Sequence, residues 1–307
     1  MNKKNFLNIK KMLNNNNIFY KKNNVYVNKK SENYSKNFEL QWKEFPLTQF
    51  DSSTGFPLTR NRLLESSNWH FNEIKDKLII ELGSGAGRFT EIFRSAKSFL
   101  ISVEMSDAVF INAKNNDSNK IIFIKSSLYD LKFLNSLFDY VFCYGVAQHT
   151  PNILKTYRSL YNFGKKKSKI SIDHYLKLNY PSKKNLWRPI TKRISPNLLL
   201  KIIKFYIPLY FNLDTFIRTK LPFFLSKLLQ CVLPIPCYNY VNVKNIPQNK
   251  KKLIEWAIMD TFDALGAKYD KPLFPAELER IAKLIGLKNF KIKTRFGFLI
   301  LNGIKKN

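Results

Sequence analysis

The sequence predicts an α/β fold in which a mostly parallel sheet is covered by helices on both faces. Short apolar strands alternate with helical segments from about residue 77 to residue 174, and this alternation is typical of parallel sheets. The first strand, at about 77–82, ends in an acid and runs directly into a glycine-rich turn, GSGAG at 83–87. Glycines permit a sharp turn, and the helix that follows offers free N–H groups to a ligand.

The remaining strands and helices follow in the order that such a fold requires. A ligand would bind at the carboxyl ends of the strands, where the strand order reverses. After the turn, the predicted elements are a helix at 87–96, a strand at 99–104, a helix at about 107–114, strands at 121–125 and 138–144, a helix at about 152–162 and a strand at 169–173.

Three segments lie outside this alternation. Residues 1–36 are rich in Asn and Lys and show no sustained period, so we expect a disordered tail. Residues 175–270 carry most of the prolines and are predicted to form a helical insertion, which acts as a lid over the open end of the sheet. Residues 271–307 are predicted to be a helix and two strands that complete the sheet.

The chain has 52 Lys and Arg against 22 Asp and Glu, which gives a formal net charge of +30. Such a charge is typical of proteins that bind nucleic acid or an anionic membrane. Most of the basic residues, however, are lysines, and they are spread through the whole chain. Lysine is one of several residues that A/T-rich codons favour, and the others are also frequent in this chain. We therefore attribute most of the charge to composition. Nucleic acid stays a disfavoured partner, and peripheral membrane contact of the insertion is an alternative to the lid.

The three cysteines, Cys143, Cys231 and Cys237, fit neither a disulfide framework nor a zinc pattern, so no metal is expected. The N-terminus lacks the long apolar core of a secretory signal. No stretch reaches the ~20 uninterrupted apolar residues of a membrane span. These features predict a cytoplasmic protein, with contact at the inner face of the membrane as the alternative.

Two motifs resemble those of the class I S-adenosylmethionine-dependent methyltransferases. ELGSGAG at 81–87 is similar to their motif I, because its glycines stand as G-x-G-x-G and not as the G-x-G-x-x-G of dinucleotide-binding proteins. FDYVFCYGVAQHTPN at 138–152 is similar to the motif after their fourth strand. Similarity over about 38–305 extends to bacterial methyltransferase-domain proteins often associated with surface-polysaccharide biosynthesis. The resemblance implies a Rossmann-like fold with a seven-stranded sheet, a segment at 37–76 that packs over the cofactor site, and S-adenosylmethionine as cofactor.

The resemblance also assigns residues to the cofactor. Glu104 ends the second strand, about twenty residues after the turn, where a carboxylate can accept both hydroxyls of a ribose. Ser127 stands where the family usually has an acid beside adenine, and this departure puts the cofactor affinity in question. The expected cofactor-binding residues are Glu81, Gly83, Ser84, Gly85, Gly87, Glu104, Met105, Ser127, Leu128, Tyr144 and Gly145.

His149 is the candidate general base, because the motif places it beside the transferred methyl group and an unperturbed histidine pKa of ~6.5 suits that role. The alternative is that His149 makes local hydrogen bonds and shapes the loop. His174, just after the fifth strand, is a weaker candidate. The residues expected to bind the acceptor are Gln49, Asp51, Arg60, Gln148 and Tyr269.

The sequence thus predicts methyl transfer from S-adenosylmethionine to a small acceptor that contains a sugar or is linked to a lipid, by O- or N-methylation. One alternative is an RNA methyltransferase. Another is a drifted protein that binds the cofactor without catalysis or only keeps the fold.

Overall fold

The fold is described from a computed structural model that covers residues 2–30, 34–180, 182–233, 235–243, 246, 249–295 and 297–306. The chain divides into two compact units. Unit 1 comprises Met1–Ser35, Thr59–Lys177 and Tyr269–Asn307, and unit 2 comprises Lys36–Leu58 and Leu178–Lys268. The segment predicted at 37–76 is therefore shared between the units, because its first part belongs with the insertion and its second part with the sheet.

The helices and strands are numbered along the chain. The helices are α1 (Asn2–Asn14), α2 (Lys36–Glu44), α3 (Asp51–Thr54), α4 (Leu58–Ser67), α5 (Phe71–Ile74), α6 (Arg88–Ser95), α7 (Ala108–Asn115), α8 (Ile153–Phe163), α9 (Lys183–Thr191), α10 (Pro196–Lys220), α11 (Phe223–Val232), α12 (Lys250–Gly266) and α13 (Pro275–Leu284). The strands are β1 (Phe19–Lys22), β2 (Val25–Asn28), β3 (Leu78–Leu82), β4 (Phe99–Glu104), β5 (Ile121–Lys125), β6 (Phe138–Cys143), β7 (Gly164–Tyr175), β8 (Leu287–Arg295) and β9 (Phe298–Lys305).

Unit 1 is built on one sheet with the strand order β1-β2-β5-β4-β3-β6-β7-β9-β8. The strands from β2 to β7 pair in parallel, while β9 pairs antiparallel with both β7 and β8. This arrangement confirms the predicted mostly parallel sheet. Strand order reverses between β3 and β6, so the carboxyl ends of these two strands flank the position where such sheets bind ligands.

The central strands are apolar on both faces because helices cover both sides of the sheet. In β3, Leu78, Ile80 and Leu82 pack into one hydrophobic cluster and Ile79 packs into the other. The alternation follows from the two-residue period of a strand. The only acid of this strand, Glu81, is also buried, and it lies at the end of the strand where the ligand is expected.

The prediction of a disordered tail is wrong for residues 2–28, which form α1 and the β1-β2 hairpin. Phe6, Ile9 and Leu13 share one face of α1 and are buried in the main cluster of unit 1. The many Lys and Asn residues between them conceal this spacing in the sequence. Strand β2 pairs in parallel with β5 and so extends the predicted seven strands to nine among the described residues. Residues 31–33 lie outside the described part.

Unit 2 is helical, as expected for the insertion. Its core joins α10, through Leu199, Ile203 and Ile207, to α12, through Ala257 and Phe262. Helix α2 and the residues after it supply partly buried aromatic and aliphatic side chains to the same core. In the part of the chain that the structure describes, no helix combines the length and the apolarity needed to cross a membrane.

We expect Leu13→Ala to lower the free energy of unfolding by about 2–5 kcal/mol, because it removes a buried side chain from a packed cluster. Leu13 is 1% exposed, whereas Leu7 in the same helix is 52% exposed. Leu7→Ala is therefore the matched control and should change stability by less than about 0.5 kcal/mol. Urea unfolding of both variants measures the difference, and equal losses would show that α1 does not pack as described.

Candidate functional site

The glycine turn lies at the carboxyl end of β3. Gly83, Gly85 and Gly87 all have φ in the left-handed region, at 72°, 55° and 100°. A Cβ at Gly83 would lie 2.1 Å from Cγ2 of Val146, and a Cβ at Gly87 would lie 2.1 Å from Oδ1 of Asn112. Only glycine therefore fits at both positions, and the turn is held tightly between the loop after β6 and helix α7.

Buried polar side chains from α7 and from the residue after it form hydrogen bonds to the turn and to residues beside it. Nδ2 of Asn112 lies 3.0 Å from Oγ of Ser84, 2.9 Å from Oγ1 of Thr90 and 3.0 Å from Oγ of Ser102. Nδ2 of Asn116 donates to the Gly87 carbonyl at 2.9 Å. The sequence prediction included Ser84 but missed the others, although a polar Ser102 inside an apolar strand was a usable signal.

Glu104 faces the glycine turn from the end of β4. Its Oε2 accepts a hydrogen bond from the Gly85 N–H at 3.0 Å, and its Oε1 accepts from the N–H and the hydroxyl of Ser106 at 2.9 and 2.8 Å. Oε2 keeps a second lone pair that can accept one hydroxyl group from a ligand, whereas Oε1 can accept another only by giving up a bond to Ser106. The structure thus brings together the turn and the acid that the sequence assigned to one nucleoside.

Glu81 lies behind the turn and is almost completely buried. Its Oε2 accepts hydrogen bonds from Thr90 at 2.5 Å and from Ser102 at 3.4 Å, while no described group bonds to its Oε1. Burial raises the pKa of Glu81 to about 8, although these two hydrogen bonds oppose the shift. At neutral pH the carboxyl group is therefore mostly protonated and can donate a hydrogen bond.

Gly145 begins the loop after β6, with a φ of 75°. Its N–H donates to Oδ1 of buried Asp173 at 2.5 Å, and Oδ2 of Asp173 pairs with Arg62 at 2.6 Å. No described atom lies within 4 Å of the position of a Cβ on Gly145, apart from its chain neighbours, so the backbone there borders open space. The sequence prediction missed Arg62 and Asp173, which fix the direction of this loop.

Gln148 is fully buried in the same loop, yet within the described residues neither its Oε1 nor its Nε2 has a hydrogen-bond partner. Its backbone carbonyl accepts from the Lys271 N–H at 3.0 Å, which fixes the position of the main chain. An unsatisfied buried amide costs about 1–3 kcal/mol per group, so native proteins usually supply a partner. The role of Gln148 toward a bound molecule stays a prediction.

His149 follows at the end of the short 3₁₀ helix Ala147–His149. Its Nδ1 lies 2.8 Å from the carbonyl oxygen of Tyr269, and its ring meets Tyr175 edge to face at 5.2 Å. A carbonyl can only accept, so Nδ1 carries a proton, and in the neutral ring the lone pair is on Nε2. Tyr269, which was predicted to bind the acceptor, thus sets the tautomer of His149 through its backbone.

His174 has a structural role, which corrects the prediction of a second catalytic histidine. It is fully buried, and both ring nitrogens are engaged: Nδ1 with the Tyr157 hydroxyl at 3.2 Å and Nε2 with the Lys271 carbonyl at 2.8 Å. Burial lowers the pKa of His174 to about 4. The side chain therefore stays neutral and links β7 to α8 and to the chain near Lys271.

The side chains of two further predicted cofactor residues, Tyr144 and Ser127, make contacts within the protein. Tyr144 is buried, stacks on Phe142 at 4.2 Å, and its hydroxyl bonds to Ser171 at 2.8 Å. Only the backbone of Tyr144 therefore remains for a cofactor, which corrects the prediction for its side chain. The hydroxyl of Ser127 accepts from the Tyr129 N–H at 3.3 Å and begins the 3₁₀ helix that contains buried Leu128.

The remaining predicted residues lie in different parts of the chain. Met105 is half-buried directly after Glu104. Arg60 is exposed and lies over the Phe71 ring at 4.5 Å. Gln49 and Asp51 belong to unit 2, so their role toward an acceptor stays a prediction.

Tyr34 is a residue near the site that the sequence prediction missed, because it fell in the segment assigned to the tail. Its ring meets the Tyr269 ring edge to face at 5.6 Å. Burial raises the pKa of Tyr34, and Tyr129, Glu104 and Tyr269 are near enough to raise it further. Across the described residues, no group of three or more His, Cys, Asp or Glu is placed to hold a metal ion.

Residues 80–172 match the family model described as a methyltransferase domain. No curated protein matches the sequence. Among solved structures, phosphoethanolamine N-methyltransferase 2 of Haemonchus contortus in complex with S-adenosyl-L-methionine has a TM-score of 0.53 and 9% identity, over 92% of this chain and 62% of that one. Magnesium protoporphyrin IX methyltransferase of Synechocystis with bound SAH has a TM-score of 0.44 and 11% identity, over 90% and 89%. The chain thus spans less than two thirds of the Haemonchus enzyme.

The Haemonchus enzyme shows that the fold is the Rossmann-like class I methyltransferase fold, as the sequence predicted. Residues 80–172 therefore match a methyltransferase domain that lies within a class I methyltransferase fold, and both findings support S-adenosylmethionine as the predicted cofactor. The residues fit this cofactor, because Glu104 meets the backbone of the turn at Gly85 and the backbone at Gly145 borders open space.

We expect the free energy of unfolding to fall as the pH rises from about 4.5 to about 8, partly because of Glu81. The folded pKa, about 8, lies above the ordinary value of 4.5, so in this range the folded state binds more protons than the unfolded state. The contribution is at most about 1.4 kcal/mol per pH unit. Glu81→Gln cannot titrate and should flatten this fall.

Urea unfolding at about pH 5 and about pH 9 measures the effect. Glu279→Gln is the matched control, because Glu279 is exposed in α13 and pairs only with Lys283 among the described residues. It should keep the wild-type pH dependence. An unchanged slope in Glu81→Gln would mean that Glu81 is ionised in the folded protein.

Proposed function

We propose that this protein transfers a methyl group from S-adenosylmethionine to a small acceptor that contains a sugar or is linked to a lipid, by O- or N-methylation. The observation that carries the proposal is the hydrogen bond between the Gly85 N–H and the Glu104 carboxylate, since it brings together the turn and the acid that a nucleoside site would need. The acceptor class rests on the sequence resemblance alone.

In this proposal, each part of the site holds one part of the cofactor. Glu104 accepts the ribose hydroxyls, and Met105, Ser127 and Leu128 flank the adenine. The backbone of the turn, with Ser84, holds the methionine end, where free N–H groups and a helix start favour a carboxylate. Neutral Glu81 can add a hydrogen bond from behind the turn without repelling that carboxylate.

The cofactor supplies an activated methyl group, so the protein has to align the acceptor and exclude water. Gln148 is suited to alignment, because its buried amide can both donate to and accept from a hydroxyl or amine of the acceptor. Pairing this amide also removes the cost of leaving it unsatisfied. An acceptor that lacks a polar group at this position should therefore bind poorly.

His149 is suited to remove a proton from the acceptor. Nε2 receives the proton while the Nδ1–H remains bonded to the Tyr269 carbonyl, and this bond strengthens as the ring becomes positive. The base matters most for a weakly acidic hydroxyl and little for an amine that is already neutral. The size of the effect at His149 thus separates O-methylation from N-methylation.

We expect Glu104→Ala to weaken S-adenosylmethionine binding by at least about tenfold in calorimetry, because the ribose hydroxyls lose their acceptor. Glu104→Gln keeps the shape and should bind with intermediate affinity, since its amide oxygen can accept only some of the same bonds. Glu279→Ala, an exposed acid of the same unit, is the control and should bind like the wild type.

Thermal unfolding of each variant separates loss of binding from loss of fold, since Glu104 also bonds to Gly85 and Ser106. If the folded wild-type protein gives no heat with millimolar cofactor, the site is inactive and the drifted-protein alternative is correct. If a folded Glu104→Ala variant binds as the wild type does, the nucleoside is held elsewhere.

We expect His149→Ala to lower the rate of methyl transfer by about 10²–10⁴-fold for a hydroxyl acceptor, with little change in cofactor affinity. His70→Ala is the control, because His70 is exposed before α5. The assay follows labelled methyl from the cofactor into fractionated cell extract, saccharides and RNA. Labelled RNA would establish the RNA methyltransferase alternative, and an unchanged rate in His149→Ala would exclude this base.

A further inference from the structure

Unit 2 exposes an unusual amount of apolar side chain. Of the 24 large hydrophobic residues that are exposed in the described part of the chain, 19 belong to unit 2. The most exposed of them are Phe223 and Phe224, at 79% and 80%. A large apolar patch on a folded protein marks a surface that meets another molecule.

Helix α10 is apolar on two opposite faces. One face is buried against α12, with Ile203, Ile207 and Phe211 in the core of unit 2. The other face is exposed, and at 3.6 residues per turn its side chains fall within an arc of about 80°. They are Leu198, Ile202, Phe205, Leu209, Leu213 and Phe216. The stripe is about 27 Å long at 1.5 Å per residue.

The two helices that flank α10 in the chain also expose apolar side chains. Helix α9 exposes Leu186, Trp187 and Ile190, and α11 exposes Phe223 and Phe224 together with further aliphatic residues. We call the exposed apolar residues of these three helices, taken together, the apolar face of unit 2. Since α10 already has a packed face, the exposed stripe is not needed to hold the helix in the fold.

Positive charge accompanies this surface. Residues 178–233 contain ten Lys or Arg and a single acid, Asp214, which is buried and paired with Arg218 at 2.6 Å. Lys201, Lys220 and Lys227 are exposed on α10 and α11, and Lys227 lies over the Phe223 ring at 5.5 Å. Exposed Phe and Leu beside lysines are the side chains that insert into, and bind to, the surface of an anionic bilayer.

From these observations we infer that the apolar face of unit 2 binds the surface of an anionic lipid membrane, with Phe223, Phe224 and the α10 stripe in the interface and the lysines at the headgroups. A second copy of the chain fits the surface less well. In a twofold contact the face would meet itself, and basic residues would oppose basic residues. Nucleic acid would satisfy the lysines but not the aliphatic stripe.

This inference rests on unit 2 and does not depend on methyl transfer. Flotation with vesicles requires neither cofactor nor acceptor. If the protein does not bind vesicles, the proposed methyl transfer is unaffected, and if it does not transfer methyl groups, the membrane inference is unaffected. The residues to be changed are exposed, so the variants should keep the thermal unfolding of the wild type, which is measured first.

The test is flotation of the full chain with vesicles made of equal parts of phosphatidylcholine and phosphatidylglycerol. We expect binding that weakens as salt is added and that is at least about tenfold weaker on phosphatidylcholine alone. The double variant F223S/F224S should bind the anionic vesicles at least about tenfold more weakly. Leu284→Ser, at a 65% exposed leucine of unit 1, is the matched control and should bind as the wild type does.

A charge variant tests the lysines separately. K201E/K227E should reduce binding at least about tenfold, whereas K288E/K291E, at exposed lysines of β8 in unit 1, should leave it nearly unchanged. Equal binding to neutral and anionic vesicles would overturn the inference, as would full binding by F223S/F224S. A dimer that F223S/F224S dissociates, or RNA binding that depends on these phenylalanines, would assign the surface to that partner instead.

Discussion

The hydrogen bond from the Gly85 N–H to the Glu104 carboxylate is the constraint on which the site depends. It joins the turn after β3 to the end of β4, and these are neighbouring parallel strands whose carboxyl ends meet at one edge. The turn can pack against Val146 and Asn112 only because Gly83 and Gly87 have no Cβ. Helix α7 completes the arrangement through Asn112, whose amide lies under the turn. The turn and the acid are therefore held in place by contacts within the protein itself.

Burial gives the two acids of this edge different environments. Glu81 is enclosed behind the turn, and desolvation favours its neutral form. Glu104 instead accepts three hydrogen bonds, from two backbone N–H groups and one hydroxyl group. One strand end thus offers a donor and the next strand end offers acceptors. Neither role follows from the residue type, because both residues are glutamate.

The loop after β6 is fixed by contacts that come from distant parts of the chain. Asp173 on β7 holds the Gly145 N–H, Arg62 from α4 pairs with Asp173, and the Tyr269 carbonyl sets the tautomer of His149. These partners lie far from the loop in the sequence, and none belongs to a recognisable motif. For this reason the sequence predicted the position of His149 but gave no account of how it is oriented. For His174 the sequence suggested the wrong role: its position after the fifth strand suggested catalysis, whereas its burial assigns it to the core.

The sequence by itself determined the fold class, the order of helices and strands from about residue 77 to residue 174, the glycine turn and the acid at position 104. Local periodicity and short-range spacing carry that information. Only the tertiary structure decided that residues 2–28 extend the sheet, that the side chain of Tyr144 belongs to the core, and that α10 has a second apolar face. A strand pairing, a buried hydroxyl and an exposed stripe each depend on what packs against the residue. That neighbour comes from elsewhere in the chain, so no local pattern records it.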